Sequence, residues 1–369
     1  MQASIDQWFA YVSGQGEADE VFQALALELS PLSSLILDRS CQFQCQHCIF
    51  QKEASSGSLP NVDAVLHVLK QLPSARVVHE GRQLTRKQLP LLEAISRAGY
   101  PIGIIESGTF VPLIDNILQS DLRFDWMDLS VDGPKEIHNL QRDNSRSWDT
   151  AIAGIRQARK VIKPQGKLTS LMAVTSLNYA HVSATGNEVF AEDVDEWHLT
   201  TMSLRRGIEK LRADEKQLET ALSQMLEVNK SQQKMFLRVY NLEDMRLLVS
   251  IFGKDTFSKL MRNAEVTQNA LVLDIGFPLF FYPVSLAPSE TLVIDVDNWW
   301  RLPYCIKYTL DELGKGRDIH DQDISVYNIA EITKQTNVAH VYKQAVSRWR
   351  EYRGEEQLVA ERALLQPLH

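Results

Sequence analysis

Cys41-Gln42-Phe43-Gln44-Cys45-Gln46-His47-Cys48 places three thiols within eight residues, directly after the apolar run Leu35-Ile36-Leu37. That run reads as a short buried strand, and a strand that stops at such a loop holds its ligands at the open end of a sheet. Three is the informative number. A cubane iron–sulfur cluster has four irons, each wanting a ligand. Three cysteines therefore leave one iron open to chelate a substrate or cofactor, much as a catalytic zinc keeps one position free. The competing reading is a structural zinc site with His47 or a distant residue as fourth ligand, but zinc ligands usually come as paired knuckles. Buried, unligated cysteines suit this loop poorly, because Gln42, Gln44, Gln46 and His47 make it polar.

Outward from the loop, short apolar runs alternate with longer amphipathic ones from Leu35 to about Thr201, the pattern of successive βα units around a parallel sheet. Strands are expected at Leu35–Leu37, Arg76–His79, Ile102–Glu106, Trp126–Val131, Leu168–Val174 and Glu196–Leu199. Helices are expected between them at Val62–Leu72, Lys87–Ala98, Ile114–Gln119, Ser147–Val161 and His181–Phe190. In parallel α/β architectures the working groups sit at the carboxyl ends of strands, and the cysteine loop follows the first of them.

The C-x3-C-x2-C spacing on that loop resembles the signature of the radical S-adenosylmethionine (radical SAM) enzymes. The resemblance implies an α/β fold with an open, partial (β/α)6 TIM-like barrel and a [4Fe–4S] cluster held by Cys41, Cys45 and Cys48. It also implies that the open iron takes the amino and carboxylate groups of S-adenosylmethionine (SAM), and that the reduced cluster splits SAM to a 5′-deoxyadenosyl radical. A flavodoxin- or ferredoxin-type protein would supply the electron.

Other strand ends carry the resemblance further. His79-Glu80-Gly81-Arg82 stands where the family often has a Gly-Gly-Glu-Pro segment that holds the SAM amino group. The paired glycines are missing, and three readings of the segment are open: Glu80 accepts from that amino group, His79 faces the pocket instead, or Glu80 pairs with Arg82 or Arg86. Glu106-Ser107-Gly108-Thr109 resembles the family's Thr-Asn-Gly-Thr turn, which puts Ser107 among the cofactor contacts. Leu129-Ser130-Val131-Asp132-Gly133-Pro134, followed by Glu136, His138 and Arg142, resembles the Ser-x-Asp-Gly-Pro stretch of one large branch. By that likeness Ser130 and Arg142 bind the SAM carboxylate, a role suited to a hydroxyl and a forked guanidinium. The bland alternative is a turn at Asp132-Gly133-Pro134 with Arg142 on the surface. Val174-Thr175-Ser176-Leu177-Asn178 resembles the next strand end, where Leu177 would pack on the adenine.

Residues 203–235 are charged and helix-prone and read as a long helix leaving the barrel. The expected organisation is an N-terminal helical segment at 1–32, a core barrel at 33–235 and a small α+β domain at 236–369. In the last, strands are expected at Met235–Tyr240, Leu271–Ile275, Leu279–Val284 and Thr291–Asp295, with helices at Asp244–Met261, Val338–Tyr352 and Glu355–Leu365. Thr291 to Cys305 resembles the end of the C-terminal auxiliary-cluster domain (SPASM or twitch type) of that branch. Only Cys305 remains of its several cysteines, and one thiolate cannot hold a cluster. The expectation is a hairpin scaffold without the second cluster.

That absence shapes the chemistry expected. With no second cluster to take an electron, redox-neutral fates of the substrate radical are favoured: epimerisation, with Cys305 returning a hydrogen atom, or elimination and rearrangement as in radical dehydratases. The bland reading of Cys305 is a small buried residue. Trp299, Trp300 and Tyr304 read as core or rim residues, or as a platform for a sugar or peptide side chain. The substrate expected is a small polar metabolite such as a sugar, cyclitol or amino acid; the alternative is a peptide, as for radical SAM maturases. Residues 1–32 are too few for the leader-binding winged helix some peptide-modifying members carry. From another class comes a non-catalytic metal- or partner-binding protein that keeps the barrel.

Composition narrows the field. At 369 residues, 44% hydrophobic and 23% charged, the chain is an ordinary globular one with room for a large core. Its net charge of −8 argues against nucleic-acid or anionic-membrane partners. No apolar run approaches the length of a membrane span, and no signal peptide opens the sequence. Three of the four cysteines lie in one motif, which suggests no disulfide framework and points to a reducing cytoplasm.

Overall fold

The structure, a computed structural model, describes residues 10, 32–36, 41–48, 59, 62–71, 76–79, 83–202, 209–239, 242–266 and 271–281, together with short strands between 291 and 328. The helices expected before residue 32 and at 338–365 lie outside the described residues, as do Glu80 and Cys305. The chain begins the core with β1 (Leu32–Ile36), α1 (Val62–Gln71), β2 (Arg76–His79), α2 (Leu89–Arg97), β3 (Ile102–Glu106), α3 (Ile114–Gln119) and β4 (Phe124–Ser130). Two helices follow, α4 (Lys135–Arg142) and α5 (Ser147–Ala158), then β5 (Ile162–Val174), α6 (Val182–Ala191) and β6 (Glu196–Thr201). These six strands lie side by side in sequence order, each parallel to the next. They form the open α/β half-barrel expected from the alternation of short and long apolar patterns.

The sheet runs on past that half-barrel at both ends. After α7 (Glu215–Gln232), β7 (Met235–Val239) pairs parallel with β6. Beyond α8 (Leu242–Phe252) and α9 (Lys254–Arg262) come β8 (Glu265–Val266), β9 (Leu271–Asp274) and β10 (Pro278–Phe281). Of these, β10 adds to β7 in parallel and turns back antiparallel against β9. At the other end β11 (Thr291–Asp295) pairs parallel with β1, and β12 (Trp299–Arg301) closes an antiparallel hairpin on it. The hairpin foreseen at 291–305 thus lies against the strand that feeds the cysteine loop. β13 (Ile306–Lys307), β14 (Lys315–Asp318) and β15 (Asp323–Ser325) form a separate antiparallel sheet, and β16 (Tyr327–Asn328) edges β12.

The charged helix and the segment after β4 differ from the sequence expectation for physical reasons. The charged helix begins at Glu215 rather than near 203, because Asp214 caps it: the Asp214 carboxylate accepts from the Gln217 N–H at 2.9 Å, and the Gln217 side chain accepts from the Asp214 N–H at 3.0 Å. The helix α4 was not foreseen at all. Its eight residues are too few, and on average too polar, for the spacing of Ile137 and Leu140 to mark a helix in the sequence.

Register and alternation divide the sheet into two faces. Ile104, Met127, Leu168, Trp197, Leu199 and Leu237 point to the helices and join one core with residues such as Leu92, Ile155, Val189 and Leu222. His79 pairs with Ile104 and belongs to this buried row, so it does not face the pocket. The opposite, concave face carries Trp126, Asp128, Ser130, Thr169, Glu196, His198 and Arg238.

The turn after β3 is fixed by close packing. Gly108 has φ +87°, and a Cβ there would lie 2.1 Å from the Thr150 carbonyl oxygen. One turn along α5, a Cβ on Gly154 would lie 2.5 Å from the Gly108 Cα. Backbone meets backbone here, so neither side has a flexible end to yield. Gly154→Ala is expected to lose about 1–3 kcal/mol of stability, read as a lower urea midpoint with an unchanged slope.

Candidate active site

The cysteine loop is held by the helix that sequence reasoning missed. The last carbonyls of a helix lack intrahelical donors. Here the Gln46 backbone N–H donates to the Gln141 carbonyl at 2.9 Å, and the Gln46 side-chain amide donates to the Leu140 carbonyl at 3.0 Å. The Cys48 N–H closes a turn on the Cys45 carbonyl at 3.2 Å, while Phe43 alone among the loop side chains is buried. Cys41 is exposed and accepts at Sγ from the Phe43 N–H at 3.5 Å; Cys45 and Cys48 are half-buried. The loop therefore lies across the carboxyl end of α4, where Arg142 is the last residue.

Arg142 is the hub of the site. Its Nε donates to Asp132 Oδ2 at 2.7 Å, and its Nη1 donates to Ser107 Oγ at 2.9 Å. Asp132 in turn accepts from the Ala173 N–H at 3.1 Å, its own N–H donates to His138 Nδ1 at 2.9 Å, and its carbonyl accepts from the Asn178 side chain at 2.8 Å. His47 Nε2 stands 3.8 Å from the same carboxylate. One buried ion pair thus ties the carboxyl ends of β3, β4 and β5 to α4 and to the cysteine loop. Asp132, His138, Asn178 and Gln141 were not singled out from the sequence as site residues. The signal available was Asp132-Gly133-Pro134, which reads equally well as a plain turn.

The electrostatics follow from burial and from this pair. Burial would raise the Asp132 carboxyl, but Arg142, His47, His138 and the Ala173 N–H outweigh it and hold it down at about 2. Burial would lower Arg142, yet Asp132 and the neighbouring Cys45 and Cys48 thiols leave it raised. Burial pushes Cys45 up to about 11 against the pull of Arg142. Burial and then Arg142 push His138 down to about 3, so its ring is neutral and accepts at Nδ1. A guanidinium that feels two thiols, a carboxylate and a serine hydroxyl is placed to balance anionic groups brought to the loop.

Of the residues expected to touch SAM, the structure brings Ser107 and Arg142 into direct contact. Ser130 ends β4 on the concave face, half-buried. Leu177 packs with Met202 and Leu211 beyond β5 and β6 in a cluster apart from the main core. Its N–H donates to Thr175 Oγ1, which donates to Gln141 Oε1, so Leu177 too is tied to α4. Among the described residues, no three His, Cys, Asp or Glu side chains already stand arranged to hold a metal ion. The donor set nonetheless fits an iron–sulfur cluster: three soft thiols on one short loop, beside a cation that offsets the charge their ionisation creates.

Deeper on the concave face lies a second polar group. Burial pushes the Asp128 carboxyl up to about 6, despite the charge of Arg238 and the polar side chain of Thr169 on the next strand. The folded protein therefore keeps this proton to higher pH than the unfolded chain does, so the stability linked to Asp128 falls as pH rises from about 4 to about 6. Asp128→Asn is expected to gain about 3 kcal/mol on the wild type between pH 4 and pH 7, measured as the difference in urea stability. Other groups that titrate in this range cancel in that difference.

The decisive comparison is with solved structures. No family model matches the sequence, and no curated protein does. SuiB of Streptococcus suis bound to S-adenosylmethionine superposes with a TM-score of 0.55 at 11% identity, over 85% of this chain and 68% of SuiB. SuiB bound to its precursor peptide SuiA gives 0.58 at 12% identity, over 85% and 66%. SuiB is a radical SAM enzyme. The chain has the radical SAM fold. It spans about two thirds of the length of SuiB, and the radical SAM fold accounts for the open parallel sheet with a cysteine loop after its first strand. Among the described residues no helix is long and apolar enough to cross a membrane.

Proposed function

We propose that the protein is a radical SAM enzyme acting on an unactivated C–H bond. The observation that carries this reading is the docking of the cysteine loop on α4, which sets Cys45 and Cys48 beside the Arg142–Asp132 pair and Ser107. Cys41, Cys45 and Cys48 would hold a [4Fe–4S] cluster. When bound with SAM, that cluster supplies one-electron cleavage of the sulfonium to a carbon radical. The chain's own residues do the positioning. Arg142 and Ser130 offer donors to the SAM carboxylate, Ser107 holds the far edge of the guanidinium, Leu177 covers the adenine, and Glu80 takes the amino group. A flavodoxin- or ferredoxin-type reductant completes the system, and a boundary near residue 235 separates the catalytic half-barrel from the C-terminal strands.

The reaction we propose is a redox-neutral change to a small polar metabolite, either epimerisation with Cys305 as hydrogen-atom donor or dehydration and rearrangement. A second reading is favoured by the likeness to SuiB, which was solved with a precursor peptide: this chain would then modify a peptide. Anaerobic reconstitution with iron and sulfide, then reduction with SAM present, tests the class. A brown protein that yields 5′-deoxyadenosine supports it, whereas a colourless zinc protein that leaves SAM intact makes the barrel a metal- or partner-binding module. Solvent deuterium in the product, absent in Cys305→Ala, marks epimerisation.

A further inference from the structure

The inner face of α4 is polar. Its buried residues are His138, Gln141 and Arg142, while Leu140 is exposed. A helix with so little apolar area to bury is placed by directed hydrogen bonds more than by packing. His138 and Arg142 fasten it to Asp132 at the end of β4. Gln141 fastens it to the next strand, β5, and to the turn that follows.

The Gln141 side chain is fully buried, and its amide has a defined sense. The Ala173 carbonyl can only accept, so the amide nitrogen faces it, at 3.5 Å, and the amide oxygen faces Thr175. There Thr175 Oγ1 donates its one proton to Gln141 Oε1 at 2.7 Å and accepts from the Leu177 N–H at 3.2 Å. The turn beyond is cross-braced. The Thr175 N–H donates to Asn178 Oδ1 at 2.7 Å, and Asn178 Nδ2 donates to the carbonyls of Asp132 and Ala173, each at 2.8 Å. Thr175 and Asn178 are fully buried, so these bonds are shielded from water. The Gln141 main-chain carbonyl meanwhile accepts from the Gln46 N–H of the cysteine loop at 2.9 Å. Gln141 thus holds the cysteine loop through its carbonyl and the turn at 175–178 through its side chain.

Two anchors on adjacent strands fix what one cannot. The bonds to Asp132 alone would let the last turn of α4 pivot about them, and the bond from Gln141 to Thr175 sets the angle. We propose that Gln141 and Thr175 are positioning residues that set the spacing between the cysteine loop and the turn carrying Leu177, so that a disturbance at Thr175 is felt at Cys45 and Cys48. The proposal deepens the radical SAM reading and takes its purpose from it: thiols that hold the cluster and a side chain that covers the adenine must serve one bound SAM. The mechanical link itself stands on the hydrogen bonds.

The test is alkylation of the full-length, metal-free protein by iodoacetamide, read at each cysteine by mass spectrometry without iron or SAM. Cys45 and Cys48 are half-buried and report the seating of the loop; Cys41 is exposed and serves as the internal reference. Thr175→Val and Gln141→Leu are each expected to raise the rate at Cys45 and Cys48 at least fivefold relative to Cys41. Because both act through one bond, the double variant should be no faster than the faster single. Thr175→Ser keeps the hydroxyl and should stay within twofold of the wild type. Ile95→Val, in the core on α2, controls for a general loss of stability. In reconstituted enzyme the apparent KM for SAM should rise at least fivefold in Thr175→Val and recover in Thr175→Ser. Wild-type alkylation in both single variants, additive effects in the double, an equal acceleration in Ile95→Val, or raised alkylation with an unchanged KM overturns the proposal. The radical reading has its own readout, 5′-deoxyadenosine from the wild-type protein; if none forms, that reading fails and alkylation alone still decides the link.

Discussion

Cys41→Ala, Cys45→Ala and Cys48→Ala are each expected to lose bound iron and, with it, all reductive cleavage of SAM, while the fold persists. A cubane held by three thiolates and reduced to two loses both a ligand and the charge that matches it. The fall should exceed a hundredfold in 5′-deoxyadenosine formed. Stability without metal should change little, because none of the three side chains is fully buried and the loop is fastened by Gln46 and Phe43 instead. Absorbance near the iron–sulfur bands after anaerobic reconstitution, set beside a thermal melt of the metal-free protein, reads both halves. A variant that keeps the full iron content and cleaves SAM at the wild-type rate removes that cysteine from the site.

Arg142→Gln should have the largest effect on stability. Truncating one member of a buried ion pair strands the other, which costs about 3–5 kcal/mol, and here Asp132 is nearly solvent-free. The sign with pH is set by Asp132. With Arg142 present its carboxyl titrates at about 2, below its unfolded value, so the pair's contribution is complete above about pH 4 and is lost as pH falls toward 2. The gap between wild type and variant should therefore be widest at neutral pH and narrow below pH 4. Asp132→Asn combined with Arg142→Gln should recover part of the loss, since no charge is then left alone. If Arg142 also meets the SAM carboxylate, the apparent KM for SAM rises at least tenfold in the single variant. A stability loss with an unchanged KM would make Arg142 a purely structural hub.

The fold was legible because parallel βα units write themselves into a sequence. β2, β3, β4 and β6 overlap their expected positions closely, β1 lies two to three residues earlier than Leu35–Leu37, and the cysteine loop follows it. β5 is expected from Leu168, yet it begins at Ile162 with an irregular register against β4; Lys163-Pro164-Gln165-Gly166 carries a proline and a glycine that hide the strand's first half. The outer strands β7, β10 and β11 were expected as strands, but not as extensions of the same sheet, because pairing partners far apart in sequence leave no local mark. Around the cysteine loop, the resemblance names Ser107 and Arg142, and the structure sets the two side chains 2.9 Å apart. Asp132 stands in the same motif but was read as part of a turn, since its pairing depends on where α4 carries Arg142. The concave group had a faint signal: Glu196-Trp197-His198-Leu199 alternates charge with apolar bulk in a strand otherwise expected to be buried on both faces.

The two amide contacts of Gln46 with the end of α4 join segments 94 or more residues apart. Closing so wide a span is entropically dear until the intervening strands are in place. The cysteine loop is accordingly expected to seat late in assembly, after β2 to β4 and α4 have packed. Iron and sulfide supplied after that point would meet three thiols already seated on the end of α4, whereas a chain still lacking α4 would offer them no such platform.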